Sequence, residues 1–147
     1  MADPEVVEMN LASVPGIYHE ETTKYLIDAC ETRGDALAVI DLKGGFMKDR
    51  NLNSSYGAAY YPFVKVRDDQ TGNIVTMPPS VVALGVLANT ERAADVWFAP
   101  AGFRRGGLSL GAGGLTVTGV ETKLTSRNRD DLYEVNINPI ASFPAEG

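Results

Sequence analysis

At 147 residues the chain is the size of one domain, and 44% hydrophobic against 22% charged residues is the balance of a globular protein with a buried core. A net charge of −6 argues against phosphate neutralisation as its main work, which takes a basic face, so nucleic acid is not an expected partner. No apolar run nears the roughly 20 residues that span a bilayer, the acidic start Met1-Ala2-Asp3-Pro4-Glu5 is unlike a signal peptide, and the single cysteine, Cys30, leaves no internal disulfide or cysteine-based metal cluster. The chain therefore reads as one unit, residues 1–147, made in the cytoplasm, with no membrane partner.

Met9 to Ile17 reads as a short mixed segment, a strand or an extended entry, ended by Pro15-Gly16. From His19 to Arg33 the apolar positions Leu26, Ala29 and Cys30 recur at helical spacing. Glu20 and Glu21 suit the positive end of that helix, Arg33 suits the negative end, and Gly34 supplies the left-handed stop. Ala36 to Leu42 is almost continuously apolar, as a strand buried on both faces requires, and a helix feeding such a strand indicates an α/β layer.

Phe46 to Ser55 is polar enough for a surface loop. Tyr60 to Val66 is the next expected strand, and Pro62, which removes a ladder donor, places it at a sheet edge or a strand start. A turn at Asp68 to Asn73 and a return strand, Ile74 to Met77, follow. Pro78-Pro79 then opens a helix, Ser80 to Asn89, whose apolar character on nearly every side calls for burial in a core or an interface. Trp97 to Gly102 is irregular, and residues 104–114, with five glycines, read as a flexible exposed loop. Leu115 to Thr118 is a brief strand, Thr125 caps a helix running to about Glu134 with Leu132 buried, and Val135 to Phe143 is a last strand broken by Pro139.

Few groupings suggest chemistry. Gly107-Leu108-Ser109-Leu110-Gly111 matches the G-x-S-x-G nucleophile elbow by letter. The elbow needs a preceding strand and a following helix, which the glycine-rich flanks do not provide, and His19 stands upstream where that order of residues needs a later histidine. The glycines also lack the spacing of a P-loop or a dinucleotide fingerprint. Asp41, at the carboxyl end of a buried strand, stands where α/β sites form, yet a lone carboxylate there more often meets nearby amides. Asp68 and Asp69 lack the alternating ligands of a calcium loop, and His19 alone makes no metal site. No catalytic residue, metal or cofactor is expected. Arg104 and Arg105 form a short basic cluster that suits carboxylates on a partner and equally suits a solvated loop. Tyr60, Tyr61 and Trp97, with their aromatic neighbours, lack the interleaved basic residues of a base-stacking platform and suit packing or subunit contact.

Several blocks, taken in order, resemble the contractile tail sheath proteins of bacteriophages. They are Asn10–Ile17 (NLASVPGI), Arg33–Ala36 leading into the strand to Asp41, Ser54–Pro62 (SSYGAAYYP), Met77–Ser80 (MPPS) with its apolar helix, Trp97–Gly102 (WFAPAG) and Leu132–Ile140 (LYEVNINPI). The likeness runs from about Asn10 to Gly147. It implies an α/β layered sheet flanked by helices, of the subtilisin-like topology that sheath subunits carry without protease activity. It further implies a virion component, assembled in the host cytoplasm and built of stacked six-fold rings of identical subunits. The implied partners are other sheath subunits, the inner tube protein, the baseplate and the tail terminator, and contraction drives the tube through the host envelope for genome delivery. Arg104, Arg105, Tyr60, Tyr61 and Trp97 become candidate subunit contacts. Sheath subunits are usually several times longer, so this chain is expected to be one part of such a subunit. A small α/β ligand-binding or hydrolase domain is the alternative, and the sheath of a tailocin or a contractile injection system is a third possibility.

Overall fold

The computed structural model describes residues 5, 8–17, 19–42, 54–93, 107–108 and 116–142. In chain order the elements are β1 (Leu11–Ser13), α1 (Glu20–Arg33), β2 (Leu37–Asp41), β3 (Gly57–Tyr61), β4 (Val64–Arg67), β5 (Ile74–Met77), α2 (Pro79–Ala93), β6 (Thr116–Val120), α3 (Ser126–Glu134) and β7 (Ile137–Pro139). They form two sheets. One has four strands in the order β1-β2-β3-β7, and the other has three in the order β5-β4-β6.

The four-stranded sheet is parallel at every pairing, with Ala38 beside Ala12, Ile40 beside Ala59, and Ala59 beside Ile137. Its central strand β2 is half-buried at Leu37 and fully buried from Ala38 to Asp41, which is why its sequence is apolar without alternation. Ala38 and Ile40 join Leu26, Ile27 and Cys30 of α1, Leu132 of α3 and Ile137 of β7 in one apolar cluster. Since side chains alternate along a strand, Val39 and Asp41 point to the other face, where Asp41 meets the first turn of α2.

The antiparallel sheet buries Val64 and Val66 against Val82 of α2, with Met77, Val117 and Val120 alongside. Its opposite face carries Lys65 and Arg67, so β4 alternates buried and exposed as a sheet wet on one side should.

Helix boundaries follow local chemistry. Gly34 ends α1 at φ 76°, a left-handed conformation that side chains other than glycine adopt at a cost, and its N–H donates to the Cys30 carbonyl at 3.0 Å. The buried Arg33 guanidinium is forked onto Asp35 at 2.7 and 3.0 Å just beyond. Thr125 caps α3 in a reciprocal box with Asn128, each side chain meeting the other's backbone N–H.

One expectation is corrected. The tyrosine-rich run does not make a single strand from Tyr60 to Val66, and of the two places expected for Pro62 it takes the one just before a strand start, two residues ahead of β4, and not a sheet edge. The run makes two strands, β3 and β4, each interior to its own sheet, with the cis Tyr61–Pro62 bond between them. The flanking carbonyls show why proline fits. Tyr61 accepts from Ile140 N at 2.7 Å and Phe63 accepts from Glu121 N at 2.8 Å, so the ladders continue into different partners on either side of a residue that has no N–H to give.

Candidate functional site

In an open parallel sheet the carboxyl ends of the strands are where ligands gather, and here that edge presents Asp41. Its carboxylate is completely buried. Oδ1 accepts from Ser80 N at 2.7 Å, while Oδ2 accepts from Ser80 Oγ at 2.8 Å and Gly16 N at 3.0 Å. Ser80 lies in the first turn of α2, where backbone N–H groups have no helical partner and the helix end carries partial positive charge. The other donor comes from the Pro15-Gly16 turn, in which Gly16 holds φ 81°. One side chain therefore ties the end of β2 to the turn after β1 and to the start of α2. It is a structural tie, with its acceptor sites directed at the protein's own backbone and hydroxyl.

The surroundings agree. A depression lined by Val14, Ile17, Thr22, Thr23, Leu26, Val39 and Ile40 lies near this edge and has no interior room for a water-sized sphere. His19 stands exposed at the N-cap of α1 and makes no side-chain cap hydrogen bond. Asp68 turns both carboxylate oxygens onto its own loop, taking Gln70 N and Thr71 Oγ1 at 3.0 Å each. Those bonds, the Gln70 amide foremost, hold its carboxyl below the usual carboxylate range. Among the described residues no group of three or more His, Cys, Asp or Glu side chains could hold a metal ion.

Of the residues singled out from sequence, Tyr60 and Tyr61 are half-buried on β3. Tyr60 sits beside Asp41 on one side and Asn138 on the other, and burial pushes its phenol up from its ordinary value. Tyr61 packs against the α1 and α3 core. Arg104, Arg105 and Trp97 lie outside the described residues, as do Ser109 and most of the glycine loop 104–114. The structure brings forward surface residues that the sequence did not flag: Tyr25 on α1, Tyr133 on α3, and Ile74 and Val75 on β5, all exposed. Helical or strand spacing marks which residues are buried, and it gives no sign of large apolar groups left outside.

No family model matches the chain. A tail sheath protein of Vibrio phage KVP40 is 36% identical to it over 63 residues, which are 43% of this chain and 8% of that protein. Among solved structures, a chain of the contracted helical sheath of the anti-feeding prophage (AFP) superposes with a TM-score of 0.71 and 24% identity, covering 97% of this chain and 38% of its own length. A chain of the AFP baseplate, 6-fold symmetrised, gives a TM-score of 0.72 and 24% identity over 97% of this chain and 37% of its own. The mixed α/β fold is thus the one found in those chains, and the resemblance to tail sheath proteins holds in sequence as well. This chain spans less than two fifths of the solved chains, and the matched stretch is under a tenth of the phage relative.

Proposed function

We propose that this chain is a structural domain corresponding to part of a contractile tail sheath subunit, that it works through contacts with other subunits, and that it performs no catalysis. The observation that carries the reading is the agreement of fold with an AFP sheath chain across 97% of this chain and 38% of that one. Two further facts support it. The phage relative shares 36% identity over 63 residues, and the carboxylate at the ligand-prone sheet edge is buried and consumed by internal donors.

On this reading the subunits stack as six-fold rings around an inner tube between baseplate and terminator, and contraction moves rigid subunits past one another to drive the tube through an envelope. The domain keeps the layered, subtilisin-like arrangement that the resemblance implies while lacking its chemistry. The assembly belongs to a phage virion or a phage-like particle. In a phage, contraction serves genome delivery.

Expression of the chain together with its genomic flanks, followed by electron microscopy, tests the reading. Rings or tubes are the expected product. A compact monomer with a ligand in a cleft, or turnover in a hydrolase assay, would overturn it.

A further inference from the structure

The outer face of the antiparallel sheet joins an exposed apolar side chain to two cations. Ile74 is 60% exposed and lies directly across from Arg67 on that face, next to the pair formed by Lys65 and Thr76. Val75, on the opposite side of the same strand, is also exposed. β5 forms the sheet's outer edge, and its sequence Ile74-Val75-Thr76-Met77 carries no lysine and no proline to discourage pairing. Lys65 and Arg67 add two cations about 7 Å apart along β4, with Asp69 only loosely paired to Arg67 at 3.9 Å.

The same chain carries a surface of matching character. The solvent side of α1 presents Glu20, Glu21, Asp28 and Glu31 against a single lysine, Lys24. At the rim of this side stands Tyr25, 78% exposed, with Glu21 one turn before it and Asp28 one turn after it. Glu21 and Asp28 are about 10 Å apart along the helix, within reach of the long Lys65 and Arg67 side chains when the helix lies on the sheet.

We infer that the Lys65–Arg67–Ile74 face of one copy docks the Glu21–Tyr25–Asp28 face of α1 from a second copy. Tyr25 covers Ile74, and the two carboxylates meet the two cations. The inference rests on the sheath reading and supplies it with a specific contact. The two patches are different surfaces of one chain, so the contact is head-to-tail and leaves each copy with a free patch for the next, as an extended assembly requires. Opposite charges at its rim choose the partner and its orientation, while the apolar pair excludes water.

Reciprocal charge reversal tests it on the 147-residue chain, with self-association followed by sedimentation velocity and folding checked by circular dichroism. Wild type is expected to associate with rising concentration and to dissociate as ionic strength rises. Lys65→Glu with Arg67→Glu, and separately Glu21→Lys with Asp28→Lys, each weaken association by about tenfold or more, and mixing the two variants restores it. Ile74→Ser and Tyr25→Ser, milder surface changes, weaken it without charge reversal. Association that survives every one of these variants, or a mixture that fails to recover, overturns the contact. If the same variants form normal tubes when expressed with their flanks, the contact is wrong and the sheath reading stands. If wild type forms no assembly in either experiment, both fall.

Discussion

Replacement of Asp41 is the most demanding test of the polar tie at the end of β2. Asp41→Ala removes the acceptor for Ser80 N, Ser80 Oγ and Gly16 N, and the first two lie in a buried setting closed to solvent. A buried donor stripped of its acceptor costs about 1 to 3 kcal/mol. The losses are not additive, because the serine hydroxyl can turn elsewhere and the cost of burying a carboxylate is recovered. A net destabilisation of about 2 to 4 kcal/mol follows, since two backbone donors lose their acceptor at about 1 to 3 kcal/mol each and no unpaired charge is left behind. For a domain with a total stability of about 5 to 15 kcal/mol, that is a large share.

Asp41→Asn sharpens the test, because its shape is the same. Oδ1 faces the Ser80 N–H and Oδ2 faces the Gly16 N–H, so either orientation of the amide sets an NH₂ against a backbone donor that cannot rotate away. The expected cost is about 1 to 3 kcal/mol, less than for alanine. Ser80→Ala, which keeps the backbone donor and deletes only the hydroxyl bond, should cost about 1.5 kcal/mol, the low end for a bond to a charged acceptor. Urea denaturation followed by far-UV circular dichroism ranks the three, and Ser80→Ala keeps the series readable if Asp41→Ala does not fold. Asparagine matching wild type within about 0.5 kcal/mol would refute the argument, since surface substitutions away from such features are of that size.

Other expectations follow from single sites. Thr125→Ala opens the capping box of α3 and should cost about 1 kcal/mol in thermal melts, while Ser126→Ala, outside the box, should cost less. Asp35 is held below the usual carboxylate range by its hydrogen bonds to the Arg33 guanidinium, so its contribution is present above its unfolded-state pKa and is lost as pH falls through the depressed folded-state value. Asp35→Asn should therefore lower stability at neutral pH and flatten the acid limb of the stability–pH curve, measured by urea titrations at stepped pH. A methyl group at Gly57 would come within 3.1 Å of Ile27 Cδ1 and Cγ1 in the core, so Gly57→Ala should destabilise by about 1 to 3 kcal/mol. Ile27→Val removes the crowding Cδ1, and in a double-mutant cycle the Gly57→Ala penalty should shrink on that background.

Where local chemistry decides, the sequence was legible. Glu20, Glu21 and Gly34 bracket α1 because dipole and left-handed backbone act within one turn, and the Thr125 cap is likewise a four-residue event. The unbroken apolar stretch of β2 signalled burial on both faces, and Asp41 at its end was correctly read as a carboxylate that meets nearby amides. Its partners were not legible, since Gly16 and Ser80 lie 25 and 39 residues away. The division of the tyrosine-rich run failed for the same reason. Which sheet a strand joins depends on what pairs with it, and here the deciding bonds come from Glu121 and Ile140, far along the chain. Exposure of Tyr25, Ile74 and Tyr133 was hidden because their spacing is compatible with burial, and only packing against the other elements leaves them outside.

The division of the tyrosine-rich run bears on the proposed role. β3 sits between β2 and β7 in the parallel sheet, and three residues later the same backbone is the central strand of the antiparallel sheet. The two layers are thus joined through interior strands, which shortens the lever between them. α2 fastens the same pair from another side, with Ser80 bonded to Asp41 of the parallel sheet and Val82 packed on Val64 and Val66 of the other. A load applied at β5 would pass to β4, and from β4 into the parallel core both along the chain and through α2. A domain that must move as one body during contraction needs such double attachment, because a single hinge between the layers would absorb the displacement that the proposed assembly has to transmit.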